Sequence, residues 1–153
     1  MKAEYSSFSP EAVAQFVKDE NLEGFSAEAY RCPAGVLTIG YGHTGADVQE
    51  GMKLDEHHAW ILLIADCERT AKAFAPYVKV PVSETQYIAL TSLAFNVGVS
   101  YVTRRCPRLM SALNRGAYQA CADEFLDITR AGGRVLPGLV RRRQLEAALM
   151  RQG

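Results

Sequence analysis

Apolar residues recur at intervals of three and four along most of the chain, the spacing that buries one face of a helix. Residues that begin helices divide this pattern into segments. Ser9 and Pro10 supply a capping residue followed by a proline in the first turn, and Ser83 with Gln86 forms a capping box. The first predicted helix begins at Ser9-Pro10. The second runs from Asp55 to before Pro76, and the third from Ser83 to about Phe95. Three further helices are predicted at residues 107–114, 117–128 and 138–150.

The stretch from Gly24 to Gly51 interrupts the helical pattern. It holds six glycines, about twice the usual density, among short apolar runs. Residues 29–31 and 36–39 are predicted as two strands, because proline and glycine favour a turn at residues 32–35 between them. The pattern therefore predicts a small β-lobe set into a helical body, with helices alone after Gly51.

The length and composition fit one soluble globular domain. The chain has 153 residues and 16.8 kDa, with 48% apolar and 22% charged residues, so fibrous and disordered classes are excluded. The longest apolar run, residues 59–65, is too short to span a membrane, so no stable membrane anchor is expected. The first residues lack the apolar segment of a signal peptide, which predicts a cytoplasmic location after synthesis. We predict one α+β domain over residues 1–153, with a small antiparallel β-lobe at about residues 29–50.

The charges are unevenly distributed although the net charge is zero. Residues 1–76 carry 6 basic and 12 acidic side chains, and residues 77–153 carry 11 and 5. Two interpretations fit: two solvated faces of opposite sign that attract each other, or a basic region that meets a polyanion. The basic residues are scattered and belong to no recognised nucleic-acid-binding motif, so nucleic acid is not expected as a partner.

The four cysteines do not have the spacing of a metal site. Cys32, Cys67, Cys106 and Cys121 include no CxxC pair, and a reducing cytoplasm disfavours disulfides, so we expect neither metal nor cofactor. Cys67 and Cys121 lie in helical patterns and are predicted to be small core residues.

A set of short motifs accompanies the glycine-rich stretch. Glu23-Gly24 follows the first predicted helix, where a carboxyl group facing a sheet loses hydration and favours the protonated form of a general acid. The motifs, in chain order, are Glu23-Gly24, Ala29-Tyr30, Thr38-Ile39-Gly40-Tyr41-Gly42-His43-Thr44, Ser92-Leu93-Ala94-Phe95-Asn96-Val97-Gly98, Leu113-Asn114-x-Gly116 and Gly132-Gly133-x-Val135-Leu136-Pro137-Gly138-Leu139-Val140-x-Arg142-Arg143 with Glu146. In this order and spacing the chain resembles the phage-type lysozymes, or endolysins, of glycoside hydrolase family 24.

The resemblance implies a lysozyme-like fold with a cleft between the β-lobe and the helical body. It also implies a catalytic trio at Glu23, Cys32 and Thr38, although the family usually has aspartate where this chain has Cys32. Glu23 would protonate the departing glycosidic oxygen, and Thr38 would position a water. Three interpretations of Cys32 are open: a thiolate serves as base or nucleophile, the thiol is inert and Glu23 acts alone, or the protein binds without catalysis.

Other residues of the motifs have predicted roles in binding or structure. Phe95 and Asn96 are predicted to line the cleft, with Asn96 bonding a catalytic carboxyl or a sugar. Arg142 is expected either to pair with Glu23 or to be an ordinary solvated charge. The resemblance implies that His43 pairs with Asp66 in a structural role. Gly35, Gly40 and Gly42 are expected to serve tight turns and close backbone approach.

The resemblance implies a monomeric muramidase that cuts the β-1,4 bond between N-acetylmuramic acid and N-acetylglucosamine in peptidoglycan glycan strands. It would wait in the host cytoplasm until a separate holin opens the membrane at the end of a phage cycle. Two alternatives are a lytic transglycosylase that uses Glu23 alone, and a non-catalytic wall-binding or membrane-perturbing protein that uses the arginine-rich last helix.

Overall fold

The computed structural model describes all residues from Met1 to Gly153, and the chain divides into two compact units. The N-terminal unit is Pro10–Arg69, and the C-terminal unit joins Met1–Ser9 to Thr70–Gly153. The prediction of one catalytic domain over residues 1–153 stays a prediction. No helix of the chain combines the length and apolar character needed to cross a bilayer.

The N-terminal unit carries a three-stranded antiparallel sheet in the order β1 (Ser26–Arg31), β2 (Leu37–Gly40) and β3 (His43–Thr44). Tyr30 of β1 lies opposite Thr38 of β2, and an irregularity between Ser26 and Tyr30 shifts the register along β1. The backbone beyond the sheet extends this pairing, since Ala29 N–H donates to the carbonyl oxygen of Met52. Its elements are α1 (Pro10–Asp19), β1 (Ser26–Arg31), β2 (Leu37–Gly40), β3 (His43–Thr44) and the start of α2 (Glu56–Phe74).

The C-terminal unit has a helical core. In it, α3 (Glu84–Val97) packs against α7 (Pro137–Gln152), and α6 (Tyr118–Phe125) packs against α5 (Pro107–Asn114) and α7. Tyr5 joins this core, with its ring centroid 4.9 Å from that of Tyr87 and its hydroxyl hydrogen-bonded to Thr91. The elements are 3₁₀ turns at Tyr5–Ser7 and Ala75–Tyr77, α3 (Glu84–Val97), α4 (Val99–Arg105), α5 (Pro107–Asn114), α6 (Tyr118–Phe125), β4 (Arg130–Ala131), β5 (Arg134–Val135) and α7 (Pro137–Gln152).

The predicted helix signals are confirmed where they rest on local chemistry. The side chain of Ser83 accepts the N–H of Gln86, whose side chain accepts the N–H of Ser83, so the capping box is formed. Helix α2 ends at Phe74, before Pro76 as predicted. Both Cys67 and Cys121 are fully buried.

The extent of the sheet and the purely helical second half were predicted wrongly. Strand β1 begins at Ser26, strand β3 was not predicted, and the β4–β5 hairpin follows Gly51, where only helices were expected. Helix α4 was also missed. The hairpin forms because the glycines at 132 and 133 adopt positive φ angles and reverse the chain within two residues.

Candidate functional site

Glu23 lies in the loop between α1 and β1. The chain leaves the helix where Leu22 N–H donates to the carbonyl oxygen of Val17, and the Glu23 side chain is half-buried. Its carboxyl group packs against the backbone of Gly42: a Cβ atom there would lie 2.8 Å from Oε2 and 3.0 Å from Cδ. Gly42 also has a φ of +73°, so this position suits glycine in two ways. The predicted close approach at Gly42 is confirmed.

Cys32 follows β1 at the start of the predicted turn. Gly35 N–H donates to the carbonyl oxygen of Cys32 at 2.8 Å, and Cys32 N–H donates to that of Val36 at 3.0 Å, which closes the turn. The thiol is half-buried and unpaired with another cysteine. The pKa of Cys32 is lowered, mainly because its thiol is hydrogen-bonded to the backbone of Val36 and of Ala34. Partial burial acts in the opposite direction, and a hydrogen bond from the Thr38 hydroxyl lowers the pKa further.

Thr38 brings its side chain to the same turn from β2. The residue is only 4% exposed, and its hydroxyl donates to the carbonyl oxygen of Val36 at 3.0 Å. A hydroxyl has one hydrogen and can rotate, so it donates to that carbonyl or to the Cys32 thiolate but not to both at once. The structure thus places the Thr38 hydroxyl within hydrogen-bonding reach of the Cys32 thiol, while the catalytic role of Cys32 and the water-positioning role of Thr38 stay predictions.

His43 stands next to Gly42 and is held by two carboxylates. Its Nδ1 lies 2.7 Å from Asp66 Oδ2, which confirms the predicted structural pair, and its Nε2 lies 3.0 Å from Asp47 Oδ2. Arg69 forms a salt bridge with the other carboxylate oxygen of Asp66. Burial alone would lower the pKa of His43, but the hydrogen bonds and charges of Asp66 and Asp47 outweigh it and raise that pKa.

The three predicted substrate-binding residues lie in the C-terminal unit. Phe95 and Asn96 are half-buried near the end of α3. The Arg142 guanidinium lies 6.0 Å from the centre of the Phe95 ring. Arg142 is only 3% exposed and donates to Glu146 Oε2 at 3.2 Å, so the expectation of an ordinary solvated charge is wrong. Its pairing with Glu23 stays a prediction, as do the substrate contacts of all three residues.

Sequence reasoning missed the buried polar cluster around these residues. Arg143 and Glu146 are both fully buried, with Arg143 Nε 2.8 Å from Glu146 Oε1. Arg143 donates to Asn96, and the hydroxyl of Ser92 donates to Glu146. Burial lowers the pKa of Arg143; Glu146 opposes this, and Arg142 adds to it. The signal that could have found the cluster is the i, i+3 and i, i+4 spacing of two arginines before one glutamate.

No group of three or more histidine, cysteine, aspartate or glutamate side chains is placed to hold a metal ion. At the predicted catalytic positions, Glu23 supplies a carboxyl group, Cys32 a thiol with a lowered pKa and Thr38 a hydroxyl. Such a set can donate a proton to a leaving oxygen and receive one from water.

Comparison with known proteins shows which family the chain is similar to. The family described as Phage lysozyme matches residues 20–146. The chain is 37% identical over 134 residues to an endolysin of Acyrthosiphon pisum secondary endosymbiont phage 1, covering 85% of this chain and 90% of that protein. It is 36% identical over 136 residues to an endolysin of Bacillus phage B103, covering 88% of this chain but only 51% of that relative. The muramidase domain of SpmX from Asticaccaulis excentricus has the same fold, with a TM-score of 0.78, 28% identity, and coverage of 92% of this chain and 93% of that one.

Proposed function

The chain belongs to the phage lysozyme family, and on that premise we propose that it is a muramidase. It hydrolyses the β-1,4 bond between N-acetylmuramic acid and N-acetylglucosamine in bacterial peptidoglycan. The observation that carries the proposal is the family match over residues 20–146, which includes Glu23, Cys32 and Thr38. The names endolysin and muramidase among the similar proteins support it.

Glu23 is the general acid of this reaction. Its carboxylic proton passes to the glycosidic oxygen as the bond to the anomeric carbon breaks, and water adds to that carbon. The half-buried position of Glu23 and its packing against Gly42 support this role, because they fix the direction of the carboxyl group.

Cys32 takes the part usually played by a second carboxylate. Its thiolate accepts the proton of the attacking water, and Thr38 holds that water in line. A free thiol with a pKa of about 8.5 is only a few per cent ionised at neutral pH, so this role requires a lowered pKa. The hydrogen bonds from Val36, Ala34 and Thr38 act in that direction.

The products of digested sacculi test the reaction type. Hydrolysis leaves a reducing N-acetylmuramic acid end, whereas a lytic transglycosylase leaves a 1,6-anhydro ring, and mass spectrometry separates the two by one water. We expect reducing ends from the parent chain, and a loss of rate of at least ~10²-fold in Glu23→Gln, which keeps the shape but has no carboxylic proton. Anhydro products, or a fully active Glu23→Gln, would overturn the proposal.

Substitutions at Cys32 test the thiolate separately. Cys32→Asp keeps an anion at the site and is expected to retain substantial activity. Cys32→Ala removes the group and is expected to lose most of it, and Cys32→Ser is expected to be poor because a hydroxyl is a far weaker base. A Cys32→Ala variant that lyses cells as fast as the parent would assign the reaction to Glu23 with water held by Thr38.

The lysis context is part of the same proposal. We expect the chain to act as a monomer, to reside in the host cytoplasm, and to reach the wall when a separate holin opens the membrane. Expression of the chain in a bacterial host with and without a holin tests this. Prompt lysis without a holin would contradict the dependence, and light scattering of the purified protein tests the monomer.

A further inference from the structure

The orientation of the Asn96 side-chain amide is fixed by its partner. Asn96 Oδ1 lies 2.7 Å from Nη2 of Arg143, and a guanidinium group only donates hydrogen bonds. The atom that faces Arg143 is therefore the amide oxygen. Because Oδ1 and Nδ2 occupy opposite arms of the amide, the NH₂ group is the arm directed away from the buried arginine.

Arg143 is itself immobilised. It is fully buried, with Nε 2.8 Å from Glu146 Oε1 and Nη1 3.5 Å from the carbonyl oxygen of Ile128. Glu146 is fully buried as well and is held in turn by the hydroxyl of Ser92. A flipped Asn96 amide would turn its NH₂ group toward this guanidinium and leave a buried N–H without an acceptor, so the cluster keeps one amide orientation.

The fixed orientation gives Asn96 a defined chemical preference. Its side chain is half-buried and its oxygen is bonded to a positive group, which leaves the two N–H donors of Nδ2 for another acceptor. Hydrogen bonding of that oxygen to a cation polarises the amide and strengthens donation by its NH₂ group. The matching ligand group is an acceptor with no hydrogen of its own, such as a carbonyl oxygen, and a hydroxyl, which also donates, matches less well.

We propose that Asn96 recognises the acetamido carbonyl oxygen of an N-acetylated sugar by donation from Nδ2, with Arg143 and Glu146 as positioning residues. The inference rests on the proposed muramidase function, because both sugars of that substrate carry an acetamido group. Asn96 thus determines specificity for N-acetylated glycan rather than for a polysaccharide of hydroxyl groups alone.

The substitution Asn96→Asp separates this role from a structural one. A carboxylate keeps the acceptor for Arg143 and forms an ion pair with it, but it has lost both donors. We expect a Tm no lower than that of the parent and a loss of about 10-fold or more in kcat/KM on native sacculi. Asn114→Asp, the same chemical change in another helix, is the matched control and is expected to leave kcat/KM unchanged.

A second experiment uses sacculi from which a deacetylase has removed an increasing fraction of the acetamido groups. The rate of the parent is expected to fall as that fraction rises, whereas Asn96→Asp and Asn96→Ala are expected to respond much less. Glu146→Gln, which weakens the hold on Arg143, is expected to lose the same discrimination, a readout that general destabilisation does not change.

Two results would overturn the inference. One is Asn96→Asp within twofold of the parent on native sacculi, which would make Asn96 only a partner of Arg143. The other is an equal proportional response of the parent and Asn96→Asp to deacetylation, which would assign the donors to a different acceptor. Failure of the muramidase proposal is seen separately, as a parent chain that releases no reducing ends from native sacculi.

Discussion

On the proposal that Glu23 is the general acid, its contact with Gly42 predicts that one added methyl group lowers the activity. In Gly42→Ala the new Cβ would lie 2.8 Å from Glu23 Oε2, so the carboxyl group must move by roughly 0.6 Å to restore an ordinary separation of about 3.4 Å. A misplacement of ~1 Å in a catalytic group can cost ~10²-fold in rate. We therefore expect Gly42→Ala to lose about 10-fold or more in kcat on sacculi.

The same substitution also has a cost in backbone conformation that must be separated from the displacement. Position 42 has a φ of +73°, where an L residue is disfavoured by roughly 1–2 kcal/mol. In a chain of this size each kcal/mol lowers the Tm by ~2–4 °C. Gly51→Ala is the matched control, since Gly51 has a φ of +79° and open space around its Cα.

The assay measures Tm by circular dichroism and initial rates of reducing-end release at a temperature well below both transitions. We expect the two variants to lose similar amounts of Tm, and only Gly42→Ala to lose activity. Parent-level activity in both Gly42→Ala and Gly51→Ala would refute the proposal that packing on Gly42 directs Glu23. A large activity loss in both would assign the effect to the backbone.

Three further predictions concern stability and thiol chemistry. Because the folded protein raises the pKa of His43, protonated His43 stabilises the fold below its ordinary pKa of about 6.5, and this contribution is lost as the pH rises through the folded pKa. Asp66→Asn should therefore lower the free energy of unfolding by about 3 kcal/mol at pH 5 and by less at pH 9. Urea unfolding at both pH values measures the difference. Iodoacetamide should alkylate Cys32, whose pKa is lowered, well before the buried Cys121, whose pKa burial raises to about 12, and peptide mapping after short exposures checks the order. Loss of the capping box in Ser83→Ala should lower the free energy of unfolding by about 1 kcal/mol without changing kcat.

The sequence was sufficient to predict those parts of the fold that depend on interactions between residues close together in the chain. The turn after β1 and the capping box of α3 each form from hydrogen bonds within a few residues, so the residue types alone predict them. Strand β1 differs, because its first residues, Ser26 to Ala29, are helix formers or polar. They are extended through long-range pairing, such as Leu54 N–H to the carbonyl oxygen of Ala27. Tertiary pairing of this kind overrides propensity and has no local signal.

Helix α4 and the buried charges were missed for related reasons. Val99–Arg105 has no capping side chain and contains β-branched residues that disfavour helix, so its helical form depends on burying Val102. The pattern of polar and apolar positions predicts that Arg143 and Glu146 are exposed to solvent, because charged residues are rarely buried. Their burial becomes understandable only when the carboxylate is seen beside the guanidinium.

The turn after β1 supports the proposal that Cys32 takes the part of a carboxylate. The groups that lower the pKa of Cys32 most are backbone ones, at Val36 and Ala34, and the backbone of a turn is present whatever side chain stands at position 32. Donors that stabilise a thiolate stabilise a carboxylate as well, because both are anions that accept hydrogen bonds. The turn therefore favours a negative charge on either side chain, which is the physical reason to expect an active Cys32→Asp variant and a poor Cys32→Ser one.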